Sequence, residues 1–176
     1  MTVIIEPEKM AVSIEDARTA ARENGTALDG EIEMWVRAFT KSAEHETGRA
    51  IIDQTHRVTL DRFPKEIELP ASPVQSVVVK FLDIHGVEQT LDPADYILDN
   101  ARAPCYVVPA PGKSWPATAA RINAVKVDAL CGYGPDHTTT PAGFKAFILG
   151  RLQEKYTPGA TESPHLCRSL WPYKVF

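Results

Sequence analysis

Between residues 51 and 134 the sequence repeats one device: a short run rich in β-branched and apolar residues, then a turn built on proline, glycine or aspartate. The runs predict strands near 55–60, 66–69, 74–84, 87–91, 96–98, 106–108 and 124–130. Asp83-Ile84-His85-Gly86 reads as a tight hairpin in which Gly86 takes the positive φ that a bulged type I turn requires. Asp92-Pro93-Ala94-Asp95 is a turn with φ preset by Pro93, and Pro64, Pro70, Pro73 and Pro109 punctuate the rest. Connections this short leave no space for crossover helices, so the strands pair antiparallel.

Helical patterns flank this block. Ser13 is placed to accept from orphan amides at the start of a helix over 13–25, with Glu15 and Asp16 in the first turn and Gly25 at its end. Asp29 reads as a second N-cap, opening a helix over 29–48 whose Ile32, Trp35, Val36, Phe39 and Ala43 form one apolar stripe facing a core. Gly48 fits its C′ position. Thr140 as N-cap and Pro141 at N1 open a third helix over 140–156, buried through Phe144, Phe147, Ile148, Leu152 and Tyr156. The expected fold is α+β: a small helical bundle of two N-terminal helices and one long C-terminal helix, with an inserted antiparallel β-subdomain over 51–134. Residues 1–156 form the main domain. Residues 157–164 read as a linker, after which Leu166, Leu170, Trp171, Pro172, Tyr173, Val175 and Phe176 restore apolar character to a docking arm that ends at 176.

Chemistry is hard to find in this chain. Its 176 residues carry a net charge of −4 with acids and bases interspersed, so no basic stripe is available to neutralise a phosphate backbone. The longest apolar runs, such as Val77-Val78-Val79, are far short of the roughly 18 residues of a membrane helix. The N-terminus lacks the pattern of a secretory signal, which predicts a protein made in and kept in the cytosol. Cys105, Cys131 and Cys167 are odd in number and widely spaced, as suits reduced thiols, and no C-x-x-C or H-x3-H pair suggests zinc. Gly132 and Gly134 precede Pro135 and Asp136, which is a strand end turning towards a helix and lacks the lysine of a phosphate loop. Any of five scattered histidines could be proposed as base to Cys131 or Cys105, and no motif selects one. Asp53, Asp61, Asp92, Asp95 and Asp99 lie in or beside turns or on alternating strand faces, and no acid/base pair stands out among them. No catalytic residue, metal or cofactor is expected. Trp115, in a Pro-Gly-Lys-Ser-Trp-Pro loop with no periodic partner, serves either packing under the loop or an interface.

The ordered landmarks carry a resemblance. Glu46-Thr47-Gly48-Arg49-Ala50 closes the second helix; Gln54, Thr55, Val58, Leu60, Asp61, Phe63 and Pro64 follow, then Ile67, Leu69, Pro70, Pro73, Val74, Ser76 and Val77. Next come the Gly86 hairpin, Leu91-Asp92-Pro93 with Asp95-Tyr96, Pro111-Gly112 with Ser114-Trp115-Pro116, Asn123-Ala124-Val125 with Val127, Gly132-Tyr133-Gly134 and Pro141. Over residues 10–156 this order resembles the head-tail connector, or head-completion adaptor, family of long-tailed bacteriophages. Leu170-Trp171-Pro172-Tyr173-Lys174 looks like that family's Leu-x-Pro-Tyr-Arg ending, with lysine replacing arginine. The resemblance implies a non-enzymatic virion protein at the head-tail interface, forming a ring of twelve subunits beneath the portal. Such a ring binds the portal protein and a head-closure or tail-completion protein, and DNA passes through its channel without specific binding and without a membrane. Leu170, Trp171, Pro172, Tyr173 and Phe176 of the arm, with Trp115 and His85 at loop tips, are the expected partner contacts. Cutting the arm away is expected to leave a folded monomer unable to join heads to tails. The competing readings are a stopper or tail-completion protein of the same joint, a small thiol enzyme, and a monomeric binding module.

Overall fold

The computed structural model describes residues 2–101 and 103–175. The fold is α+β with antiparallel sheets, and the chain forms two compact units: Met1–Glu6 with Gln54–Gly132, and Pro7–Asp53 with Tyr133–Phe176.

The first unit holds every strand found among the described residues. β1 (Thr2–Ile5), β2 (Gln54–Leu60), β8 (Val125–Cys131), β4 (Val74–Leu82) and β5 (Glu88–Thr90) make one five-stranded sheet in that spatial order. β3 (Ile67–Leu69), β7 (Cys105–Pro109) and β6 (Tyr96–Asp99) make a second, ordered β3-β7-β6. All pairings are antiparallel. Central β8 shows why the register is firm: Val125, Val127, Ala129 and Cys131 are buried and the residues between them are not, so a slip of one residue would turn the whole apolar set to water. Tyr96 of β6 donates its hydroxyl to the Val77 carbonyl of β4 at 2.9 Å, tying one sheet to the other. β1 has no counterpart among the expected strands, and the predicted strand over 74–84 stops at Leu82, where the Asp83 turn takes over.

On the outer face of the large sheet, Arg57 and Asp128 stand opposite each other and pair through two hydrogen bonds of 2.6 and 2.7 Å. Those bonds from Arg57, the largest influence on it, hold the Asp128 carboxyl below the usual carboxylate range. A depressed carboxyl stabilises the fold above the unfolded value, about 3.9, and loses that contribution as pH falls through the folded one. Asp128→Asn is therefore expected to cost about 1–2 kcal/mol at pH 7 and to flatten the loss of stability below pH ~4, read by denaturant melts across pH.

The second unit is helical. α1 (Ile14–Ala21), α2 (Asp29–Thr47) and α3 (Ala142–Tyr156) pack on one another, and α4 (Pro164–Arg168) with a 3-10 turn at Trp171–Tyr173 completes it. Ile32, Val36, Ile51, Ile52, Phe144, Phe147, Ile148, Leu152 and Leu170 fill its core. Ser13 caps α1 as expected, accepting from the Asp16 amide, and Gly48 ends α2 at φ 70°. Three boundaries differ. α1 stops at Ala21, well before Gly25, because Arg22 adopts the left-handed conformation and the Glu23 amide bonds back to Arg18. Asp29 lies inside α2 rather than capping it, its carboxylate being held by Arg18 at 2.6 and 2.7 Å. Pro141, extended at ψ 145°, occupies the N-cap position of α3 while Thr140 is buried one residue earlier.

Candidate interaction surfaces

The C-terminal segment is seated on its own helical unit by two missing side chains. Gly143 and Gly150 lie two helical turns apart on α3, so they share a face. A Cβ at Gly143 would stand 2.6 Å from the Ser169 carbonyl oxygen and 2.5 Å from the Tyr173 ring, and one at Gly150 would stand 2.5 Å from Leu166. The bare helix thus admits the returning chain at backbone distance. The Ser169 hydroxyl is shared between the Leu166 carbonyl at 2.7 Å and the Gly143 carbonyl at 3.1 Å, and Arg49 donates to the Tyr173 carbonyl at 2.6 Å. The Val175 amide donates to the Thr47 carbonyl at 3.1 Å. Tyr173 packs its ring on Phe144 at 4.5 Å between centroids, and upstream Glu154 accepts from the Ser163 amide at 2.7 Å.

The expected contact residues therefore separate. Leu170 is fully buried in the core of its own unit and Tyr173 is half-buried beside it. Trp171 is 61% exposed, with the Arg168 guanidinium 5.9 Å above its ring, and Pro172 is exposed next to it. Phe176 lies outside the described residues.

In the β unit, Trp115 is half-buried and stacks on Phe63 at 4.7 Å with ring planes 6° apart, its indole N–H reaching the Lys65 carbonyl at 3.4 Å. Phe63 also meets Phe81. The ring thus packs under its loop while keeping one side towards solvent. His85 is exposed at the tip of the β4–β5 hairpin. That tip is built on Asp83, whose carboxylate accepts from the amides of His85 and Val87 and from the Gln89 side chain at 2.9–3.0 Å. The Val87 bond first, then those of Gln89 and His85, hold this carboxyl below its ordinary range. Gly86 supplies the expected positive φ of 80°. The rigid tip exposes Ile84 and Val87, and the loop ending at Ala124 exposes Ile122. Leu82 bonds to that loop at Ala119 and Ala124, so both apolar features stand at one end of the sheet.

The hairpin tip over 83–87, expected as a contact from the sequence, thus presents Ile84 and Val87, whereas the exposed Ile122 beside it was not anticipated. Cys105 and Cys131 are both buried, and burial pushes the Cys131 thiol up to about 12, too high to supply a thiolate near neutrality. Among the described residues no cluster of three His, Cys, Asp or Glu could hold a metal ion, and no helix is long and apolar enough to cross a membrane.

No family model matches the chain, and neither does any curated protein. Solved structures do. A chain from the neck of an empty gene transfer agent (GTA) particle computed with C6 symmetry matches with TM-score 0.81 and 18% identity, over 99% of this chain and 95% of that one. A chain from the virion of the native GTA particle matches with TM-score 0.79 and 21% identity, over 99% and 95%. A third, from the neck of the native GTA particle computed with C12 symmetry, matches with TM-score 0.70 and 22% identity, over 100% and 96%. At these identities the likeness is one of fold, and it extends through both compact units and the seated C-terminal segment.

Proposed function

We propose that this chain is a structural subunit of the neck of a phage-like particle. It assembles there as a ring, of twelve copies, that joins the portal to the head-closure or tail components and continues the DNA channel. The observation that carries this reading is the end-to-end likeness to a GTA neck chain, 99% of this chain at TM-score 0.81. Neck structures computed with C6 and C12 symmetry support a ring. The chain's own physics agrees: a closed ring needs two different patches on each subunit, and a helical unit and a β unit with separate exposed apolar features supply them. An interspersed surface of net charge −4 suits a channel wall that lets DNA pass. The burial and raised pKa of Cys131 weigh against its use as a thiol nucleophile.

Within this reading Trp171 and Pro172 are the arm's contact to a portal or neighbouring subunit, while Leu170 and Tyr173 hold the arm in place to present them. Trp115 and His85 are contacts of the β unit. Trp171→Ala is expected to leave the melting temperature unchanged, since the ring is 61% exposed. It should weaken retention in particles at least about tenfold, as truncating an aromatic anchor costs about 2 kcal/mol. Mass spectrometry and electron microscopy of purified particles test both levels. Absence of the wild-type chain from particles would reject the neck assignment, and normal retention of the variant would reject Trp171 as the anchor.

A further inference from the structure

We propose that neighbouring copies join through the open edges of the five-stranded sheet, β5 of one copy pairing with β1 of the next. β1 and β5 close that sheet at opposite ends, so among the described residues each pairs with a strand on one side only. An open edge leaves a row of amides and carbonyls that another strand satisfies directly. β1, Thr-Val-Ile-Ile, carries neither charge nor proline, and Ile4 and Ile5 are exposed; an irregular register between Val3 and Ile5 is its one guard. β5, Glu-Gln-Thr, is exposed at all three positions.

These edges differ from each other, as head-to-tail closure requires. Four antiparallel steps separate β1 from β5, so the two strands run in the same direction. Rotation about a ring axis running broadly along the strands preserves that direction, and the seam is parallel. The register adds a stagger: Thr2 stands level with Arg57, whereas Thr90 stands level with Lys80, Lys126 and Thr59, and Glu88 lies two residues further along. Aligning Thr2 with Glu88 therefore shifts each copy by about four residues, roughly 13 Å at ~3.3 Å per residue. Over five strands at ~4.8 Å spacing this makes a strand tilt of about 30°, somewhat below the ~35–45° typical of closed barrels. Ile4 then falls beside Thr90.

A seam this short buries roughly a few hundred Å², below the ~1,000 Å² of a durable pairwise interface. Two copies alone do not stay joined, and the contact persists where closure holds every subunit on both sides. The occupant is accordingly a second copy of this chain within the ring.

This seam presupposes the ring proposed above, and the experiment separates the two. Ile4→Cys with Thr90→Cys, in a Cys167→Ser background, is treated with a short bismaleimide in purified phage-like particles. The expected result is a ladder of products longer than dimers, absent from either single variant. Particles that contain the double variant yet yield no ladder overturn the seam and leave the ring standing. Particles that lack even the wild-type chain overturn both. Ile4→Lys gives a second reading that needs no crosslink. Loss of the variant from particles with an unchanged melting temperature supports the seam, and normal incorporation overturns it.

Discussion

Deleting residues 163–176 is expected to destabilise the helical unit severely. Leu170 is fully buried among Phe144, Ile148 and their neighbours, so its removal opens a void in the core and does not simply trim a tail. Loss of a buried leucine side chain costs about 2–5 kcal/mol, and the Tyr173–Phe144 ring contact adds about 0.5–1.5 kcal/mol. The Arg49 side chain would lose its carbonyl acceptor as well. Against a total stability of about 5–15 kcal/mol for an ordinary domain, this is a large fraction. For a unit of this size, at about 4–8 °C per kcal/mol, it corresponds to a fall in melting temperature of at least about 10 °C. Thermal unfolding followed by circular dichroism measures it, and an unchanged transition would show that the segment is dispensable for folding. The arm's burial thus replaces the expectation that a truncated chain remains a sound monomer. A truncation that fails to join heads to tails would report on folding, whereas Trp171→Ala reports on contact.

The regular elements were legible where periodicity or turn chemistry carries a signal. Alternation along residues 124–130 anticipates β8, and the aspartate and glycine of Asp83-Ile84-His85-Gly86 anticipate the hairpin, because both are local properties. Boundaries failed where a side chain was claimed by something distant or a backbone took a costly form. Asp29 is an excellent N-cap residue, but Arg18 takes its carboxylate. Arg22 at φ 58° ends α1 although nothing in an arginine announces a left-handed residue. β1 escaped because a four-residue edge strand gains its identity from β2, far along the chain. The candidate contacts were less legible for a similar reason. Trp115 has no periodic partner in sequence, and its stacking on Phe63 depends on the fold that brings the two loops together. Leu170, Trp171 and Tyr173 read as one apolar group, yet adjacent residues on a tight turn point in different directions, which buries the first and exposes the second.

Gly143→Ala is expected to destabilise the protein even though helix propensity alone predicts the opposite. Replacing glycine by alanine within a helix ordinarily gains about 0.5–1 kcal/mol by reducing the freedom of the unfolded chain. Here the added methyl group meets the Ser169 carbonyl oxygen at 2.6 Å and the Tyr173 ring at 2.5 Å. The tyrosine can swing, but the carbonyl is backbone and is fixed by the turn that buries Leu170. The chain must either back away from α3, losing the longer, 3.1 Å contact of the Ser169 hydroxyl with the Gly143 carbonyl, or distort. Overpacking of this kind costs about 1–3 kcal/mol, which outweighs the propensity gain. Gly150→Ala makes an informative contrast, since there the obstacle is the mobile end of the Leu166 side chain, and a smaller loss is expected. Two measurements separate the causes. Melting temperature should fall for Gly143→Ala and fall less for Gly150→Ala. Limited proteolysis should cut Gly143→Ala faster within residues 157–163, because a segment lifted from α3 frees the Ser163 end of the linker from Glu154. A stabilised Gly143→Ala protein with an unchanged cleavage rate would mean that the bare face of α3 does not seat the arm.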